Sequence, residues 1–294
     1  MKKIFKLVIV FLITLSFTSC EDVVQIKLDE GSKLYVVDAF INNMLTQQVV
    51  KVTTNDSYFS NREAPGVTNA NVTLVDLTTN TNYSFSHTGN GKYIFNNSDT
   101  ANNIAKIGHS YMLKVKIDGY EYTSTTTQKR TAVIDSISAL YNDGQDPFGG
   151  PKDTYNCFLF ARDKADNNTD YYWIRTFRND TLFNDPSDLN ISIDGTNGAV
   201  VDAPADSIDF TAPITFLGFK TYRENDKCKV EIHSISRETY FFFVQAIAQI
   251  NNGGLFATTP ENVKTNIVTP DGAKTKAIGW FNMASVFSKT KLVN

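Results

Sequence analysis

The sequence predicts a mainly β protein: an N-terminal immunoglobulin-like antiparallel β-sandwich, then a second β-rich domain carrying one helix. Three observations predict it. Aromatic residues reach 12% of the chain, with Phe and Tyr numbering 34 together, and such side chains fit pleated surfaces. Short apolar or alternating runs recur between clusters of Asn, Asp and Gly, the residues that turns require. One stretch alone repeats apolar residues at helical spacing.

Residues 1–19 read as a lipoprotein signal peptide and stand outside the fold. Lys2, Lys3 and Lys6 form a positive start, and Leu7 to Phe17 is a nearly all-apolar run of eleven residues. That run is too short to cross a membrane as a helix, which takes about 20 apolar residues. Phe17-Thr18-Ser19-Cys20 resembles a bacterial lipobox, with Phe where Leu is commonest. In a lipoprotein the Cys20 thiol would carry diacylglycerol, and acyl chains of the palmitate kind would hold the chain, each buried methylene contributing about 0.8 kcal/mol. Ordinary signal-peptidase cleavage with an incidental Cys20 is the competing reading. Glu21–Asp22 resembles the acidic export signal that sends Bacteroidota lipoproteins to the outer face of the outer membrane; a solvated charge pair is the plain alternative.

Residues 20–32 form a polar tether, and residues 33–131 the sandwich. Leu34–Ile41, Val49–Thr54, Val72–Leu77, Tyr83–Thr88 and Tyr93–Phe95 read as strands, with Gly89-Asn90-Gly91 as a turn. Tyr111–Ile117 and Tyr120–Thr126 flank Asp118-Gly119, a type I′ hairpin signal. A two-residue loop sets Val115 opposite Tyr122, collects Leu113, Val115, Ile117, Tyr120 and Tyr122 on one face, and predicts a Lys116–Glu121 ion pair on the other.

Residues 132–294 form the second domain. Val133–Tyr141, Tyr155–Ala161, Tyr171–Arg178, Phe216–Arg223, Lys229–Ile235, Ala277–Met283 and Val286–Leu292 are strand candidates, and Asn142–Asp153 is a loop. Asn179–Pro213 is too long for a structureless connection, so it is functional or holds unplaced strands. Glu238–Asn251 is the helix: Tyr240, Phe243, Val244, Ile247 and Ile250 recur at its spacing, Ser236 serves as N-cap and Gly253 as stop.

The chain carries a net charge of −3; its first nineteen residues hold three Lys and no acid, which leaves the remainder at −6. No basic stripe marks a nucleic-acid partner. No Gly-x-Ser-x-Gly elbow, His-Glu-x-x-His helix or phosphate-cradling loop is present, so no catalytic residue, metal or cofactor is assigned. His87, His109 and His233 are scattered among strands and read as ordinary surface or core histidines. Asp163-x-x-Asp166-Asn167-x-x-Asp170 lacks the calcium-loop spacing and reads as a solvated turn. Tyr171-Tyr172-Trp173 could stack a sugar or peptide, but packing of a strand is the simpler use. Cys157 and Cys228 could pair in an exported protein, or remain two buried thiols. Asp-Thr/Ser-apolar tripeptides at Thr100, Thr181 and Ser207 resemble an O-glycosylation acceptor; a fourth, at Ser136, falls in a strand.

Several segments resemble the Bacteroidota lipoprotein family known as domain of unknown function 4249. They are Cys20-Glu21-Asp22-Val23-Val24, Leu34-Tyr35-Val36-Val37-Asp38-Ala39, Tyr58-Phe59, Val67 to Leu74, Gly91-Lys92-Tyr93, Ile134-Asp135-Ser136-Ile137, Leu255-Phe256, Pro260 to Ile267 and Ala277-Ile278-Gly279-Trp280-Phe281. Trp280 stands where the family more often has Tyr. The resemblance implies an outer-membrane lipoprotein, often encoded beside a TonB-dependent receptor, and hence, with the surface location that Glu21–Asp22 suggests, an accessory or ligand-binding partner of such a transporter. A structural or adhesive immunoglobulin-like module and a hydrolase with a dispersed active site are the rival expectations.

Cys20→Ser is expected to release the protein from the membrane fraction and to abolish the acyl mass increment; retention of the variant in the membrane would refute lipidation.

Overall fold

The computed structural model describes residues 31–57, 60, 62–100, 103–145, 150–163, 169–193, 215–216 (backbone only), 220–252 and 263–294. Residues 1–19, expected to be a signal peptide, with Cys20, most of the expected tether, Ser207 and Gly253, lie outside the described residues. Among the latter the chain is mainly β, as its sequence predicts, with one α-helix.

The first seven strands are β1 (Leu34–Asn42), β2 (Gln47–Thr54), β3 (Asn71–Asp76), β4 (Thr81–Gly89), β5 (Lys92–Asn96), β6 (Ser110–Ile117) and β7 (Tyr120–Thr127). Then come β8 (Val133–Asn142), β9 (Thr154–Arg162), β10 (Tyr171–Arg178), β11 (Thr181–Leu182), β12 (Asn190–Ile193), β13 (Thr215–Phe216) and β14 (Lys227–Ile235). The helix α1 (Arg237–Ile250) precedes β15 (Lys276–Ala284) and β16 (Val286–Leu292). The long segment after β10 holds β11, a 3-10 turn at Pro186–Asp188 and β12, so strands account for its described part.

The first sheet runs β15-β1-β2-β5-β4-β3-β6-β7. It curls almost shut: Thr123 of β7 and Val268, just ahead of β15, exchange backbone hydrogen bonds of 3.2 and 2.7 Å. Alternation along each strand sends one set of side chains inward. In β1 these are Tyr35, Val37, Ala39 and Ile41, all buried, and they meet Val50, Val52, Leu74, Tyr93, Leu113 and Phe281 in one core.

The hairpin of β6 and β7 has the register its turn dictates, Ile117 opposite Tyr120 and Val115 opposite Tyr122. Asp118 and Gly119 both take positive φ, 51° and 86°. The expected ion pair changes partner: Glu121 lies opposite Lys116, but its ion pair is with Lys114, diagonally across at 3.6 Å. Twist in a two-stranded ribbon brings one diagonal neighbour closer, which long side chains can reach.

One pairing breaks the antiparallel pattern. β15 runs parallel to β1, from Leu34 opposite Lys276 to Asn42 opposite Ala284. Parallel neighbours need a long connection, and here most of the chain supplies it. Gly279 lies opposite Val37 with φ of +117°, and a Cβ there would strike the Val37 carbonyl.

Strands β13-β9-β8 make a second sheet and β11-β10-β14-β16 a third, with β12 also paired to β10. Their inner faces share a core that includes Ile134, Leu159, Tyr172, Ile174, Tyr222 and Ile232. The strand expected at Phe216–Arg223 is reduced to β13 and a bridge between Tyr222 and Tyr155, among the described residues. The C-terminal strands thus serve both halves of the chain, β15 extending the first sheet and β16 the third. Residues 32–56 and 61–294 form one compact unit.

Helix α1 is capped as its sequence predicts, Ser236 Oγ accepting from the Thr239 backbone N–H at 3.1 Å. The Thr239 hydroxyl donates to Asn282 Oδ1 at 3.0 Å and accepts from the Trp280 indole at 2.9 Å, which fixes the helix to β15. Phe243 is buried, but Val244 and Ile250 of the predicted stripe are 38% and 49% exposed.

Gly279→Ala is expected to destabilise the protein by about 3 kcal/mol or more, since both φ and the Val37 carbonyl oppose a side chain. Chemical denaturation measures this; an unchanged midpoint would show that the β1–β15 pair tolerates a Cβ.

Candidate functional site

The outer face of β1 and β2 does not meet bulk solvent throughout. It forms one wall of a cleft of about 550 Å³ whose other wall is the outer face of β10 and β14. Period-2 alternation decides what each wall shows. From β1 come Asp38 and Phe40, from β2 Val49 and Lys51, with Lys92 of β5 in the same transverse row as Lys51 and Asp38. From the opposite wall come Trp173, Arg175 and Phe177 of β10, paired across the ladder with His233, Glu231 and Lys229 of β14.

Aromatic rings close one end. Phe243 of α1 stacks on Phe40 at 5.6 Å and packs on Trp173 at 5.1 Å, while Phe40 and Trp173 meet edge to face at 5.4 Å. These contacts hold the two walls at a fixed separation.

Both walls carry charge, and on the β10–β14 wall it centres on Glu231. Glu231 is 3% exposed. Lys229 Nζ lies 3.0 Å from its Oε1, and His233 Nε2 lies 3.0 Å from its Oε2. Burial alone would raise the Glu231 carboxyl, but the hydrogen bonds from His233 and Lys229 outweigh it and hold the group down at about 2. Burial holds His233 below its usual range, aided by the charges of Arg175 and Lys229, so it stands neutral at pH 7 and donates its Nε2 hydrogen to the carboxylate. Arg175 lies over the Trp173 ring at 4.9 Å and near Phe177 at 5.6 Å. Desolvation lowers its pKa, with Glu231 opposing. Lys229 sits 4.3 Å over Phe177.

The residues singled out from sequence fall elsewhere. Cys157 and Cys228 come together in the second core as free, buried thiols. Interaction between the two thiols, together with burial, pushes Cys157 well up, and the same interaction holds Cys228 down against its own burial. Thr100 and Thr181 are exposed, and Ser136 is exposed within a paired strand. Asp163 and Asp170, the ends of the acidic loop, converge on Arg130, whose guanidinium lies 3.5 Å from the first and 2.6 Å from the second; Asp166 and Asn167 lie outside the described residues. His109 pairs with buried Asp76 at 2.7 Å, and His87 packs on Tyr93. Among the described residues no three His, Cys, Asp or Glu side chains are placed to hold a metal ion, and no helix is long and apolar enough to cross a membrane.

The cleft residues escaped sequence reasoning, which read Trp173 as strand packing and His233 as ordinary. One signal was available. Lys229-x-Glu231-x-His233 places a charged row on one face of an otherwise apolar strand, and Trp173-x-Arg175 repeats the pattern on its neighbour.

Fold and cleft define a β-sandwich protein with a preformed crevice walled by aromatic and charged side chains. The chain belongs to the family described as Domain of unknown function (DUF4249), whose model matches residues 21–290. No curated protein matches it. Among solved structures, a chain from a study of host cell surface retention of a 1.5-MDa bacterial ice-binding adhesin is 14% identical. That likeness covers 91% of this chain but 66% of the other, with a TM-score of 0.18, too low to carry any argument.

Stability is expected to fall on acidification. Glu231 and His233 both have depressed folded-state pKa values, so the unfolded chain binds more protons and ΔG of unfolding drops as pH falls. Loss begins as pH falls through the ordinary histidine value of about 6.5, where the unfolded imidazole takes a proton and His233 does not, and continues from about 4.5 towards 2 through Glu231, which alone contributes about 3 kcal/mol. Glu231→Gln should cost about 3 kcal/mol at pH 7, by leaving Lys229 and Arg175 without a counter-charge, and should flatten the acid limb. Urea midpoints of both proteins across pH test this; parallel profiles would refute it.

Proposed function

We propose that this chain is a lipid-anchored, surface-exposed binding module of the outer membrane that serves as accessory partner to a TonB-dependent transporter. The observation that carries the binding reading is the cleft. Its volume of about 550 Å³ lies within the ordinary range for small-molecule sites, and its apolar rings carry a few placed charges, the usual make-up of such sites. Rigid strands contribute most of the lining, so the geometry is largely preformed and little ordering opposes binding.

Location and partnership rest on the sequence and the family. The charged start, short apolar run and Phe17-Thr18-Ser19-Cys20 favour a lipid anchor, and Glu21–Asp22 favours export to the surface. Likeness to the DUF4249 lipoproteins supports a transporter partner. A tethered binder beside a transporter raises the local concentration of its ligand at the entry site, the advantage that linkage gives any second binding step.

Affinity capture of the native lipoprotein from mildly solubilised outer membranes is expected to bring down a TonB-dependent barrel, and Cys20→Ser should lose it. Capture without a barrel would count against the partnership and leave the cleft untouched.

A further inference from the structure

The cleft holds more positive charge than it neutralises. Lys51, Lys92, Arg175 and Lys229 line it against Asp38 and Glu231, and Lys51 is further paired with Glu63 at 2.9 Å, so one positive charge stays in excess although the chain as a whole carries −3. Neutral His233 leaves that balance unchanged.

Arg175 is the least satisfied of these groups. Its Nε is buried with no hydrogen-bond acceptor among the described residues. Glu231 stands 3.7 Å from its Nη1, an ion pair but beyond hydrogen-bond reach. Both Glu231 oxygens are engaged, one by Lys229 and one by His233. A guanidinium has five N–H donors in a planar fork that matches the two oxygens of a carboxylate. A bound oxyanion would give the reachable N–H groups of the fork the acceptors that Glu231 does not supply. Trp173 lies beside this fork, with Phe40 against it, so a flat ring attached to the anion meets an aromatic wall.

We propose that the cleft takes a small organic carboxylate, its oxygens on the Arg175 guanidinium and its apolar or ring portion against Trp173 and Phe40. This rests on the cleft being a binding site and names the chemical class of its ligand. Lys92, on the wall facing Arg175, adds long-range attraction for the same charge, while Lys51 beside it is paired with Glu63.

Calorimetric titration of the full-length lipoprotein in detergent, against a micelle blank, tests it with benzoate and with benzamide, the same ring without the charge. Benzoate is expected to bind the wild type. Affinity should be about ten- to hundredfold lower for benzamide, and lower by a similar factor for benzoate with Arg175→Gln, with Arg175→Lys between. Equal affinity for the two compounds, or benzoate affinity unchanged by Arg175→Gln, overturns the carboxylate assignment and leaves the cleft as a binding site. Binding of neither compound overturns both. Glu231 keeps Lys229 and His233 when Arg175 is replaced, so Arg175→Gln should retain the wild-type melting temperature; were it to unfold, the benzoate–benzamide comparison in the wild type decides alone.

Discussion

The parallel pairing of β1 with β15 is the constraint on which the rest depends. β1 is used on both faces: Val37, Ala39 and Ile41 close the first core, while Asp38 and Phe40 form a wall of the cleft. Its partner arrives from the far end of the chain, and β15 leads directly into β16, which pairs with β14. One continuous C-terminal segment therefore ties the first sheet to the third. The tie is reinforced at the junction, where Ser285 accepts from the Gln128 side chain at 3.0 Å and donates to the Lys129 carbonyl at 2.6 Å. Gly279 permits the close backbone approach that this arrangement needs.

Electrostatics on the β10–β14 wall follows from that packing. On an open sheet, Lys229, Glu231 and His233 would be a solvated polar face. Covering them makes Glu231 a buried carboxylate that must be paired, and Lys229 and His233 pair it fully. Arg175, opposite Glu231 in the ladder, is left with a long ion pair and two aromatic rings. Replacing such a cluster with well-packed apolar residues would be neutral or stabilising in a protein under no other demand. Its presence at the cleft, rather than in either core, accords with the binding role proposed for that surface.

Local features were legible in the sequence and long-range ones were not. Asp118-Gly119 fixed the β6–β7 register because a type I′ turn leaves no other pairing. Ser236 and the spacing from Tyr240 to Ile250 located α1 to within one residue at each end. The same helical pattern overstated burial, since Val244 and Ile250 stay partly exposed. Alternation in β10 and β14 told which residues share a face but not what lies over it. Trp173, Arg175 and Glu231 become neighbours of Phe40 and Lys51 only through the β1–β15 pair, which joins segments about 240 residues apart. Periodicity within a strand carries no information about that contact.

A site shared between two sheets has a thermodynamic consequence of its own. Asp38, Phe40 and Lys51 stand on one wall, and Trp173, Arg175 and Glu231 on the other. The unfolded chain has neither wall in place, and a molecule spanning both binds the native state alone, stabilising it by RT ln(1 + [L]/Kd). Separation of β15 from β1 would also dismantle the cleft without unfolding the β6–β7 hairpin or the inner core of β8, β9 and β14. Occupancy of the cleft and the integrity of the parallel pair are therefore linked, because β1 both pairs with β15 and forms one wall of the cleft.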